Sequence, residues 1–99
     1  MKHAFALALS LSLAGCNMPS PEFRGIPPKT ITIDGSTFDV RQNGNRAEAM
    51  RINMQYAPRF GPIRTRAARA MAQATGCKVI AVTGDQALAF GRLKCPNGS

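Results

Sequence analysis

Few residues in this chain have types and spacings that could do chemistry. The densest group is basic: Arg59, Arg64, Arg66 and Arg69 fall within eleven residues of a 99-residue chain whose formal net charge is +8. Guanidinium groups at that density suit phosphate and carboxylate partners, such as anionic lipid headgroups, acidic glycans or an acidic protein surface. Arg41, Arg46 and Arg51 could add to this charge from the sheet, and all of these arginines could equally serve solubility alone. Five carboxylates stand against them, Glu22, Asp34, Asp39, Glu48 and Asp85. Asp34 and Asp85 occupy turn signals where aspartate is favoured for backbone reasons. Asp39 and Glu48 could approach across neighbouring strands, but a solvated surface pair is the commoner outcome than a glycosidase dyad. Gly84-Asp85-Gln86 lacks the glycine array and lysine of a phosphate loop. Three cysteines, Cys16, Cys77 and Cys95, show no Cys-x-x-Cys redox spacing, and His3 is the sole imidazole.

The position of His3 decides how much of that chemistry survives. Met1-Lys2-His3 is a short basic start, and residues 4–13 form an apolar run broken by two serines. That is the charged and apolar layout of a secretory signal, too short for the ~20 residues a membrane-spanning helix needs. The run ends in Leu13-Ala14-Gly15-Cys16, which resembles the lipobox of bacterial lipoproteins. The resemblance implies cleavage before Cys16, a diacylglyceryl thioether on its sulfur, acylation of the new amine, and attachment to a membrane without spanning it. Because Asn17 rather than aspartate follows the cysteine, the resemblance further implies the outer membrane, with the domain facing the periplasm.

Removal of residues 1–15 takes away His3 and Lys2, leaving twelve basic residues against five acidic, a net +7. A mature form would then have no imidazole for a triad, a zinc site or general base work. With Cys16 acylated, Cys77 and Cys95 remain as an even pair in an oxidising compartment, where a disulfide is the default. No metal-ligand cluster or cofactor motif is present in the sequence, and a non-enzymatic role is expected. Nucleic acid would satisfy the charge, but an exported, lipid-tethered chain rarely meets it.

The 84 residues left of 99 suffice for one domain. The expected division is a signal over 1–15, a lipidated cysteine and Pro-rich tether over 16–28, and a domain over 29–99. Pro19, Pro21, Pro27 and Pro28 exclude a helix from the tether and favour extended geometry. Phe23 and Ile26 are its apolar exceptions; packed back onto the domain, they would shorten the reach.

Within the domain, Asp34-Gly35 predicts a two-residue hairpin turn. With Ile33 opposite Ser36, residues Ile31, Ile33, Phe38 and Val40 share one face, and Thr30, Thr32, Thr37 and Asp39 the other. After the turn cluster Asn43-Gly44-Asn45, the alternation of Met50, Ile52, Met54 and Tyr56 with polar residues predicts a third strand over 47–56. Gly61-Pro62 and Gly76 bracket a helix over 63–75 whose apolar side is Ile63, Ala67, Ala70, Met71 and Ala74. Two strands follow around Gly84-Asp85-Gln86, the first apolar enough to be covered on both faces. A register with Thr83 opposite Ala89 also sets Cys77 opposite Cys95, close enough for a bridge.

The expected fold is therefore α+β, a β-β-β-α-β-β domain of mostly antiparallel sheet with one helix on one face. The expected role is a lipid-anchored binding or structural module of the cell envelope, contacting anionic surfaces through Arg59, Arg64, Arg66 and Arg69. The alternative is a small inhibitor or accessory lipoprotein of another envelope protein.

Overall fold

The computed structural model describes residues 18–53 and 59–96; the signal, Cys16 and the expected strand residues Met54 and Tyr56 lie outside them. Five strands and one helix follow in order: β1 (Lys29–Ile33), β2 (Ser36–Asn43), β3 (Arg46–Arg51), α1 (Phe60–Thr75), β4 (Lys78–Gly84) and β5 (Leu88–Lys94). All neighbours are antiparallel, in the order β1-β2-β3-β5-β4, so the chain crosses from β3 through α1 to the far edge before β5 fills the gap.

The first hairpin has the expected register, with Ile33 opposite Ser36 and Lys29 opposite Val40. Asp34 and Gly35 both take positive φ, 48° and 84°, as a type I′ turn requires. Ile33, Phe38 and Val40 enter the core and Ile31 packs beside it. On the other face Thr30 Oγ1 donates to Asp39 at 2.7 Å, and the Thr32 and Thr37 hydroxyls share a hydrogen bond of 3.0 Å.

α1 begins at Phe60, three residues earlier than the sequence predicts, and takes Pro62 in its first turn, where no backbone N–H has to be donated within the helix. It ends at Gly76 in the left-handed conformation, whose N–H bonds the Ala72 carbonyl at 2.9 Å. Its buried residues are the expected Ile63, Ala67, Ala70, Met71 and Ala74. Small residues face it from the sheet, Ala47, Ala49, Ala89 and Gly91, so helix and sheet approach closely. A Cβ at Gly91 would lie 2.6 Å from Met71 Sδ, which shows how directly that side chain rests on the strand.

Three expectations need correction. The third strand ends at Arg51, Ile52 is 50% exposed, and Met50 faces away from the helix. The two-residue turn Gly44-Asn45 pairs Val40 with Ala49, and this register gives the helix side to the alanines. β4 is an edge strand covered on one face, with Ile80 48% exposed. Its register also changes: Thr83 pairs with Phe90 and Gly84 with Ala89, whereas beyond a bulge at Ile80 the pairs are Val79 with Leu93 and Lys78 with Lys94. Only this second half carries the expected register. It does bring the cysteines together, and Cys77 and Cys95 are disulfide-bonded with Cα atoms 4.3 Å apart.

Candidate functional site

Alternation along the strands sends a second set of side chains to the face away from α1, and this face has three zones. The first is the wet threonine ladder of β1 and β2. The middle zone lies under residues 18–28. Rather than reaching away as a tether, the Pro-rich segment lies along the sheet from its single 3-10 turn, Pro21–Phe23, with Phe23 fully buried. The Phe23 ring stacks on Phe90 of β5 with centroids 6.3 Å apart.

Polar groups of the sheet fasten this strip. Arg41 and Glu48, directly opposite each other on β2 and β3, form its centre. The Glu48 side chain is 0% exposed and that of Arg41 13%. Glu48 Oε2 accepts from the Ser20 backbone N–H at 2.8 Å and the Ser20 hydroxyl at 2.6 Å. Arg41 Nε donates to the Ile26 carbonyl at 2.8 Å, so the pair grips the strip near both ends. Between themselves they are a charge pair rather than a hydrogen bond, with Nη1 and Oε1 3.8 Å apart and neither bonded elsewhere. Such a buried pair is held mainly by what else it bonds, since desolvation offsets much of its attraction. Asn43 donates to the Glu22 carbonyl at 2.8 Å, and Arg46 Nε meets the Glu22 carboxylate at 3.0 Å.

The third zone is cationic. Arg46 of β3 stands opposite Arg92 of β5, and Lys78 of β4 opposite Lys94 of β5. All four are exposed. By alternation from Phe90 they lie on the face that carries the strip, and a shallow depression of about 180 Å³ opens there among Arg46, Ala81, Thr83, Phe90, Gly91 and Arg92. Among the described residues only Arg46 of the four has a partner, and its Nη groups remain open. Like charges directly opposite on neighbouring strands destabilise a sheet.

The helix arginines do not form one patch. Arg66 and Arg69 lean toward the β1–β2 turn, where Arg66 donates to the Ser36 hydroxyl at 3.2 Å and Arg69 pairs with Asp34 at 2.7 Å. Arg64 lies on the opposite flank, beside β4. Arg59 precedes the helix and is exposed. Arg51, a further candidate, is taken up by the carbonyls of Gln86 and Asn53.

The carboxylates are likewise spoken for. Asp39 accepts from Thr30, Asp85 Oδ1 caps the last turn by accepting from the Ala87 and Leu88 N–H groups, Asp34 meets Arg69 and Glu22 meets Arg46. Asp39 and Glu48 share a face but sit on different rungs, opposite Met50 and Arg41. No group of three or more potential metal ligands occurs among the described residues.

Composition alone hid the buried pair and set Arg46 apart from its neighbours Arg92, Lys78 and Lys94, since an isolated glutamate or lysine reads as solvated surface. Register would have found them. A two-residue turn at Gly44-Asn45 places Arg41 opposite Glu48, and a Cys77–Cys95 rung places Lys78 opposite Lys94. No family model, curated protein or solved structure matches this chain.

Proposed function

We propose that the chain is a lipid-anchored module of the bacterial envelope, attached through Cys16 and sorted to the outer membrane, which binds an anionic partner without catalysing a reaction. The observation that carries the reading is the pair of like-charge rungs, Arg46 with Arg92 and Lys78 with Lys94, on an exposed sheet face. Such rungs cost stability in the free chain and become favourable when an anion sits over them. The lipobox resemblance supplies the compartment, and the structural engagement of all five carboxylates within the chain supports a non-enzymatic role. Arg59 and Arg64 go with α1 rather than with this face, and Arg66 and Arg69 already hold Ser36 and Asp34, so the helix arginines do not extend the cationic rungs.

One observation favours a second reading, an accessory lipoprotein or inhibitor seated on a protein partner. A groove between α1 and the edge of β4, lined by Arg64, Ala68, Val79, Ile80 and Val82, leaves Ile80 48% exposed beside unpaired strand backbone. Ionic strength separates the two. Binding to anionic vesicles or acidic cell-wall glycan should weaken steeply as salt rises and should need Arg92 and Lys94; partner binding through Ile80 should tolerate salt. Cys16→Ser should abolish incorporation of labelled fatty acid, and retained labelling would remove the lipid anchor from the proposal.

A further inference from the structure

The anchor and the cationic zone are joined by a short length of chain. Cys16 precedes Ser20 by four residues, and Ser20 is bonded to Glu48 through both its N–H and its hydroxyl. At about 3.5 Å per residue, the lipid attachment point can lie no more than ~14 Å from that contact. Arg46 stands two residues before Glu48 on the same strand and the same face, ~7 Å away. Arg92 is its neighbour on β5. A domain held this way keeps its strip-covered face within about 14 Å of the attachment point, a reach too short for the domain to turn over freely.

From this we propose that Arg46 and Arg92, with Lys78 and Lys94 beside them, form a phosphate-binding face for anionic lipid headgroups of the membrane that holds the anchor, and that residues 18–28 are the clamp that turns this face to the bilayer. The proposal rests on the lipid-anchored reading above. Its chemistry suits a phosphodiester. The Glu22 carboxylate takes Arg46 Nε, which leaves the terminal nitrogens free to donate. Thr83 adds a hydroxyl and Phe90 an apolar wall to the same depression. Lys78 and Lys94 are point charges on flexible stems that follow a mobile headgroup.

The geometry also makes the assignment exclusive. α1 packs on the opposite face of the sheet, where Ile63, Ala67, Ala70, Met71 and Ala74 meet Val40 and Leu93. One flat bilayer cannot meet the cationic sheet face and the outward side of α1 together. A membrane contact through Arg59 and Arg64 would need the opposite orientation.

The test uses the full lipidated protein in nanodiscs of phosphatidylcholine, with or without one quarter phosphatidylglycerol, each doped with a nitroxide-bearing lipid. Amide signals of residues 78–83 and 90–94 should broaden, those of 64–73 should stay sharp, and the contrast should grow with phosphatidylglycerol. Arg92→Gln with Lys94→Gln should abolish the growth of that contrast with phosphatidylglycerol. The pair should also weaken capture by anionic vesicles roughly 25-fold, about fivefold per cation, while Arg59→Gln with Arg64→Gln leaves both unchanged. A ten-residue Gly-Ser insertion between Asn17 and Met18 should blur the orientation without changing the free domain's spectrum.

Broadening centred on α1, or a contrast indifferent to phosphatidylglycerol, would overturn the proposal. So would inorganic phosphate or glycerol phosphate at millimolar concentration shifting the Thr83 and Arg92 signals as fully as the bilayer does, since the source would then be a soluble phosphate. Persistent salt-dependent binding to acidic glycan alongside any of these results leaves the anionic-partner reading standing, whereas absence of lipid on Cys16 removes the anchor and, with it, this orientation proposal.

Discussion

Where α1 meets the sheet, the contact is made by Ile33, Phe38, Val40, Ala49, Ile63, Met71 and Leu93 with alanines between them. The other face of the same strands buries Glu48, sets Arg41 against it, and uses them to hold an eleven-residue strip whose one large apolar anchor is Phe23. The helix side is closed by burial, which has no direction and tolerates exchange among apolar residues of similar volume. The strip side is closed by named donors and acceptors, and there the identity of single atoms matters. Beyond the strip the same face leaves its cations uncovered, so closure and the proposed contact are next to each other on one surface.

The sharpest way to break this comparison is to remove one aromatic ring from each side. Phe23→Ala and Phe38→Ala each delete a fully or almost fully buried ring, at 0% and 1% exposure, and should each cost about 3–5 kcal/mol. Urea unfolding measures both. If Phe38→Ala costs that much and Phe23→Ala under about 1 kcal/mol, the strip is not part of the cooperative unit and the clamp fails with it.

Next in size is the Cys77–Cys95 bond, which closes a loop with a sequence separation of 18. In the chain-entropy account a loop of that length is worth about 3 kcal/mol. Cys77 is buried on the helix side, so Cys77→Ser with Cys95→Ser should loosen β4 first. Hydrogen exchange should speed up over 78–84 while the N–H groups of Ser20 and Phe23 keep their protection. Equal loss on both faces would mean that the faces are not independent. Glu48→Gln sharpens the opposite side. It keeps the size and one carbonyl oxygen but removes the charge facing Arg41, and should cost about 1–3 kcal/mol with the loss concentrated at Ser20.

The helix side was readable in the sequence because its signals are periodic. Asp34-Gly35 set a hairpin register, and the 3.6-residue spacing from Ile63 to Ala74 named every buried helix residue. The third strand misled because Met50 and Ile52 alternate as cleanly as a core strand should, and alternation alone does not say which face has the helix. The face was decided by the two-residue turn at Gly44-Asn45 and by the need for alanine opposite an alanine-rich helix. The bulge at Ile80 left no mark, since a one-residue shift in register changes no composition. Glu48, Arg41 and Ser20 were illegible for a different reason: each is polar, and each is buried only because the others satisfy it. The cationic rungs, which carry the proposed contact, follow from register and not from clustering along the chain.

The smallest expected effect tests which arginines matter. Arg69 and Asp34 pair at 2.7 Å with side chains 56% and 61% exposed, so the pair should be worth only about 0.2–1 kcal/mol. Asn at position 34 keeps the positive φ of 48° that the turn needs, so Asp34→Asn should leave the hairpin intact. What it changes is the helix side, where Arg69 is freed and the local charge rises by one. If the sheet face is the contact, capture by anionic vesicles should move by less than about fivefold and the nanodisc broadening should stay on 78–83 and 90–94. If freeing Arg69 instead strengthens capture many-fold and draws the broadening to α1, the contact belongs to the helix, and Arg46 and Arg92 face each other for a reason that nothing in this structure explains.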